Sequence, residues 1–170
     1  MTGRVATAEE LAFDFDAPFA SWSSADDGVM GGRSRSQFTA IPCGGRFTGV
    51  VSLANGGGFC SVRSPDFAEG WAGFDAVSLL VRGDGRTFTF CLHTRGLMPG
   101  MSYRRRFTPQ AGEWAEITLP LEEFVLMRFG FRVGVAPVNP DHIRAVSLMV
   151  ADAQEGPFTL DVKRIALRGG

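Results

Sequence analysis

Residues 77–93 constrain the fold more than any other stretch, because apolar side chains recur at every second position on both sides of a Gly83-Asp-Gly-Arg86 turn. Val77, Leu79 and Val81 alternate with Ser78, Leu80 and Arg82; Phe88, Phe90 and Leu92 alternate with Thr87, Thr89, Cys91 and His93. Successive side chains of a strand point to opposite faces, so each run reads as a strand with one face in a core. An Asp-Gly turn between two such runs predicts a hairpin. The same grammar recurs along the chain. Leu11, Phe13 and Phe15 fall on one face of a first strand, with at most one helical turn over 7–11 before it. Strands are expected over 33–39, 46–53 and 59–63, the last two joined as a hairpin through Asn55-Gly-Gly-Gly58. A further pair is expected over 103–108 and 114–119. Pro120 precedes a short helical turn over 121–125, and strands over 143–150 and 158–167 close the chain. No segment carries clean helical periodicity. The expected structure is all-β: a β-sandwich or jelly roll of eight to ten short strands, one domain over residues 1–170.

Composition supports that reading. The chain has 15 Phe against one Tyr, with 22 Gly and 9 Pro among 170 residues. Phe has no polar handle and belongs in a core, while Gly and Pro supply turns. A net charge of −1 gives no global attraction to nucleic acid or anionic lipid, so no nucleic-acid partner is expected. No run approaches the length of a membrane span, and Met1 to Glu10 has no apolar core of a signal peptide. Cys43, Cys60 and Cys91 are odd in number and lack CxxC spacing, so they are expected as free thiols in a cytoplasmic protein.

Catalytic machinery is hard to assemble from this sequence. Only His93 and His142 are present, no GxSxG elbow exists, and no HExxH or Cys/His cluster suggests a metal. No catalytic residue, metal or cofactor is expected. Calcium on the loop carboxylates Asp26, Asp27, Asp152 and Glu155 is the one metal reading left open. The Gly-rich stretches lack the Lys-Ser/Thr of a phosphate loop. Two surfaces remain as binding candidates. If Val62, Val81 and the Phe88/Phe90 face point inward, then Arg63, Arg82, His93 and Arg95 share a basic, non-core sheet face, with Arg104-Arg105-Arg106 adding charge nearby. Such a face suits an acidic peptide, a phosphate or a sugar acid, although ion-paired solvated strands explain it as well. The second surface is the pair of polar loops carrying Asp26, Asp27 and Met30, and Asp152, Gln154 and Glu155. An anchoring pair between Arg82 and Asp152 or Glu155 is the default structural role for that arginine.

Trp22 with Asp26-Asp-Gly-Val-Met-Gly-Gly-Arg-Ser34 resembles the signature of the complex I intermediate-associated protein 30 family. Four more segments match in order: Phe47–Arg63, Val81–Arg86, Gly112-Glu-Trp114 and Ala151–Phe158. Asp26 stands where that family usually has Asn, and Ala153 where it usually has Lys. The resemblance covers about 11–167. It implies a galactose-binding-like jelly roll and a non-enzymatic chaperone role in assembling respiratory complex I, with a protein partner such as a membrane-complex intermediate. The lean N-terminus suits a bacterial member. The competing expectations are a carbohydrate- or small-ligand-binding module, for which Trp114 is the one outward-phased tryptophan, and an enzyme using Arg63, Arg82 and His93.

Overall fold

A computed structural model describes residues 8–169 as two antiparallel sheets packed face to face. In chain order the strands are β1 (Ala8–Asp14), β2 (Ser23–Ser24), β3 (Arg35–Ile41), β4 (Gly44–Val51), β5 (Cys60–Arg63), β6 (Ala76–Arg82), β7 (Phe88–Thr94), β8 (Met101–Phe107), β9 (Trp114–Pro120), β10 (Val125–Arg128), β11 (Phe131–Arg132), β12 (Ile143–Val150) and β13 (Gly156–Gly169). The front sheet runs β3-β4-β13-β6-β9, with β1 also on β13. The back sheet runs β11-β10-β8-β7-β12-β5-β2. Single 3-10 turns lie at Asp27–Met30, Ala54–Gly56, Leu121–Glu123 and Pro140–His142. The turn over 121–123 is where Pro120 predicted one. The chain makes more strand segments than the eight to ten expected, chiefly through the two-residue β2 and β11 and the short β10.

The core is built from the predicted faces. Val77, Leu79, Val81, Phe47, Phe158 and Leu160 of the front sheet meet Val62, Phe88, Phe90, Leu92, Val146 and Leu148 of the back sheet, all buried. A bulge between Val162 and Arg164 changes the phase of β13. It lets Phe158, Leu160 and Val162 face the core before it, and Ile165 and Leu167 after it. Nearer one end, Phe13, Phe15, Phe19, Trp22 and Phe38 form an aromatic cluster, mostly edge to face, with Phe13 and Phe15 stacked and Phe38 tilted against Phe19 and Trp22.

Three expected pairings are corrected. β6 lies in the front sheet and β7 in the back, so the Gly83–Arg86 turn crosses between layers instead of closing a hairpin. β4 and β5 separate in the same way, and so do β8 and β9. Alternation fixes which face is buried but not which neighbour supplies the hydrogen bonds. Val77–Arg82 finds two better neighbours in β13 and β9, and Phe88–His93 finds β12 and β8. At the N-terminus the expected helical turn is instead strand from Ala8 onward, and Thr7 lies outside the described residues. A bulge between Leu11 and Phe13 throws Leu11 out of phase, so it is exposed while Phe15 is buried.

Candidate functional site

The acidic loop residues turn inward. Asp27 is buried, and its carboxylate accepts from the Ser34 amide (3.0 Å) and hydroxyl (2.5 Å) and from the Gly58 (2.6 Å) and Phe59 (3.2 Å) amides. Burial pushes its carboxyl up, but these donors together outweigh burial and hold it below the usual range. Glycines surround it for a steric reason. A Cβ on Gly32 would sit 2.3 Å from Asp27 Oδ1, and one on Gly57 2.6 Å from Oδ2. Asp26 beside it accepts from Ser36 N, Ser36 Oγ and Ser61 N, linking the loop to β3 and β5. The Met30 side chain lies outside those described.

The 152–157 loop is held by Arg86, which the sequence reading did not single out. Arg86 grips Asp152 with Nε (3.0 Å) and Nη2 (2.6 Å) and also donates to the carbonyls of Gln154, Gly156 and Pro157. Glu155 accepts from the Leu53 amide at 2.9 Å, while Gln154 is exposed. The anchor expected of Arg82 therefore belongs to Arg86. With Asp26, Asp27, Asp152 and Glu155 each facing N–H or O–H donors, the calcium reading loses its ligands.

Arg82 is also misplaced by the single-face expectation, because it stands on the front sheet while Arg63 and His93 stand on the back one. A row of register partners crosses the front sheet: Arg46, Asp161, Arg82, Trp114. Asp161 is buried and accepts from Arg46 at 2.7 Å and Arg82 at 2.7 Å. Burial pushes its carboxyl up and the two guanidiniums pull it back below the usual range. Two cations approach the Trp114 ring, with Arg82 4.7 Å and Lys163 4.8 Å from its centroid. Arg95 stands apart from both rows, lining a depression with Arg144, Glu69 and Trp71.

Arg63 and His93 are brought together on the outer face of the back sheet. There a second row of register partners runs Arg63, Ser147, Cys91, Arg104, Val125. Small side chains form its middle and arginines stand toward either end. The depression over it encloses about 360 Å³, lined by Arg63, His93, Arg104, Ser61, Ser102 and Ser147 and capped by Leu97, Met98 and Met101. His93 Nε2 is 2.5 Å from Ser147 Oγ. Burial, then Arg63 and Arg104, push the His93 imidazole down to about 4, so it is neutral near pH 7. Burial pushes the Cys91 thiol up to about 11 despite Arg104 nearby, which leaves it a poor nucleophile. Arg104 and Arg106 share the outer phase, whereas Arg105 turns the other way toward Glu123 at 3.7 Å. The trough continues through Arg104 and Met149 into a second depression with Thr89, Arg106, Val125 and Met127, whose rim also carries the Arg105–Glu123 pair.

At its far end stands the β10–β11 hairpin, unanticipated from sequence. Phe129 occupies the turn with φ +53° and is exposed; Phe131 and Val135 are 77% and 88% exposed, and Val133 and Met98 also reach solvent. The signal was present as alternation of Phe129, Phe131, Val133 and Val135.

Comparison with known proteins gives two kinds of likeness. The family described as Complex I intermediate-associated protein 30 matches residues 11–162. A Drosophila melanogaster protein named Complex I intermediate-associated protein 30, mitochondrial, is 26% identical over 93% of this chain, which spans 62% of that protein's length. Among solved structures, the family 11 carbohydrate-binding module of the Clostridium thermocellum cellulase Lic26A-Cel5E superposes with a TM-score of 0.67 at 18% identity, covering 96% of this chain and 95% of that one. The same family's module in complex with a β-1,3-1,4-mixed-linked tetrasaccharide gives 0.66 at 18% identity, covering 95% and 96%. A family 29 module from Piromyces equi gives 0.55 at 9% identity, covering 98% and 93%. These structural likenesses establish a galactose-binding-like sandwich.

Proposed function

Because this chain belongs to the complex I intermediate-associated protein 30 family, we propose that it is a non-enzymatic assembly factor that holds protein intermediates of complex I or of another membrane complex. The family match over 11–162 carries the reading. The exposure of Phe129, Phe131, Val133 and Val135 within seven residues of chain beside the arginine-walled trough supports it, since a concentration of exposed apolar side chains on a folded domain marks a contact surface. The reading keeps the chain in the cytoplasm, with its three cysteines as free thiols. Among the described residues, no helix is long and apolar enough to cross a membrane.

Affinity capture from the native host is expected to recover complex I subunits or another membrane-complex intermediate. Phe131→Ser combined with Val135→Ser is expected to cut that recovery at least fivefold with an unchanged melting temperature. Normal complex I assembly in a deletion strain would overturn the respiratory part of the proposal. The second reading, a carbohydrate-binding module, is favoured by the sandwich likeness to sugar-binding domains. The residues lining the trough work against it, because they include no aromatic platform. Trp22 and Trp71 are buried, and the Trp114 ring is already in contact with the cations of Arg82 and Lys163.

A further inference from the structure

The outer face of the back sheet holds a feature that apolar docking at the hairpin does not need: a depression with two guanidiniums on its walls and no carboxylate in its lining. We infer that this trough binds an extended, acidic segment of a partner protein, lying across the strands with carboxylate side chains received by Arg63 and Arg104. The inference rests on the protein-binding half of the reading above and not on the partner's identity.

Charge is the first argument. Arg104 and Arg106 have no carboxylate within ion-pair distance among the described residues, and Arg63 has only the exposed Asp66 at 3.2 Å. Arg104 is held in place by Ser102 Oγ at 2.9 Å and by the carbonyls of Phe129 and Gly100. A guanidinium oriented by neutral acceptors keeps its full charge for an incoming anion and suits a carboxylate's two oxygens. His93 between the arginines adds no competing charge and presents a hydrogen-bonding edge with Ser147.

Chemistry of the lining is the second argument. Leu97, Met98, Met101 and Met149 surround the polar floor. A bare inorganic anion leaves those side chains unused, whereas an acidic residue flanked by apolar ones fills both. Methionine adapts to partners of varied shape.

Length is the third. The row from Arg63 through Ser147, Cys91 and Arg104 to Val125 crosses five strands. Four inter-strand steps of about 4.8 Å make roughly 19 Å, a span that an extended segment of about six residues covers. Arg63 and Arg104 stand on strands three steps apart, roughly 14 Å, which matches residues i and i+4 of an extended chain. A small free acid reaches only part of that row.

The probe is a capped, fluorescein-labelled heptapeptide with Glu at positions 2 and 6 and Leu or Val elsewhere, titrated against the whole chain by fluorescence polarisation. Saturable binding is expected. Replacing both Glu by Gln should weaken it at least tenfold, as should Arg63→Met or Arg104→Met, while Arg164→Met on the front sheet should leave it unchanged. Because Arg104→Met also removes ties to Gly100 and Phe129, amide shifts in the wild-type chain give an independent readout. Peptide should move Ser61–Arg63, Cys91–His93, Ser102–Arg104 and Ser147–Met149 and leave Arg46, Arg82 and Asp161 still. Equal binding of the Gln peptide would overturn the inference, and so would shifts confined to the hairpin. Displacement by free glutarate at the peptide's own concentration range would show a small-acid site instead and overturn it too. Failure here with successful capture from the host removes this inference alone. Arginine-dependent peptide binding without any captured assembly intermediate removes the assembly reading alone.

Discussion

Arg86 shows how one side chain can organise a loop. Its guanidinium meets both oxygens of Asp152 and three backbone carbonyls, and its side chain is largely shielded from solvent. It also lies 5.9 Å from the Phe158 ring centroid. Removing one partner of a shielded pair leaves the other charge uncompensated, so Arg86→Ala is expected to cost about 3–5 kcal/mol. Arg86→Lys restores the charge but not the planar fork, and should recover less than half of that loss, as read from urea unfolding midpoints. The same logic explains Asp27 and its glycines. The sequence showed a run of Asp and Gly, which looks alike whether the carboxylates face water or the interior. Burial and the donors of Ser34, Gly58 and Phe59 decide the matter, and those donors come from two separate segments. By contrast, Arg63 and His93 were readable, because strand phase alone puts them outside.

Elements were legible in their faces and poorly legible in their partners. Val77, Leu79 and Val81 are buried as their alternation demands, yet the strand pairs with β13, about 80 residues away, and not with its sequence neighbour. Hairpins form instead between β3 and β4 and between β10 and β11, each across two residues, and between β7 and β8 across the longer 95–100 connection. The β10–β11 hairpin went unread because its alternating apolar residues are interrupted by Gly130 and Gly134 and face solvent. Loop geometry also carries local strain. Ala153 sits at φ +58°, a conformation that disfavours any residue with a Cβ. Glycine relieves that cost, so Ala153→Gly should stabilise the chain by about 1 kcal/mol, less glycine's own entropy loss. A higher midpoint in urea at unchanged slope would bear this out; a lower one would mean that the loop needs its methyl group.

The whole molecule should weaken in acid in two stages. His93 is held down to about 4 from its ordinary 6.5 by burial, Arg63 and Arg104. Its contribution is complete above pH 6.5 and is lost as pH falls toward about 4, because the unfolded chain takes up a proton that the folded one refuses. That is worth up to about 3 kcal/mol. Asp27, Asp152 and Asp161 are all held below the ordinary carboxylate value, so their contributions fade only at lower pH. His93→Gln should flatten the stability profile between pH 6.5 and 4 and leave the steeper loss below it. An unchanged profile in that variant would remove His93 from the account.

The position of β13 has a consequence for how the protein is made. It is the last strand described, yet it lies in the middle of the front sheet, bonded to β4, β6 and β1. On the ribosome the Phe-rich strands emerge with that slot empty. At about 5–20 residues per second, β4 waits roughly 5–20 s for the partner that closes it. Translation speed over residues 52–156 therefore sets how long its open edge is available to the wrong neighbour.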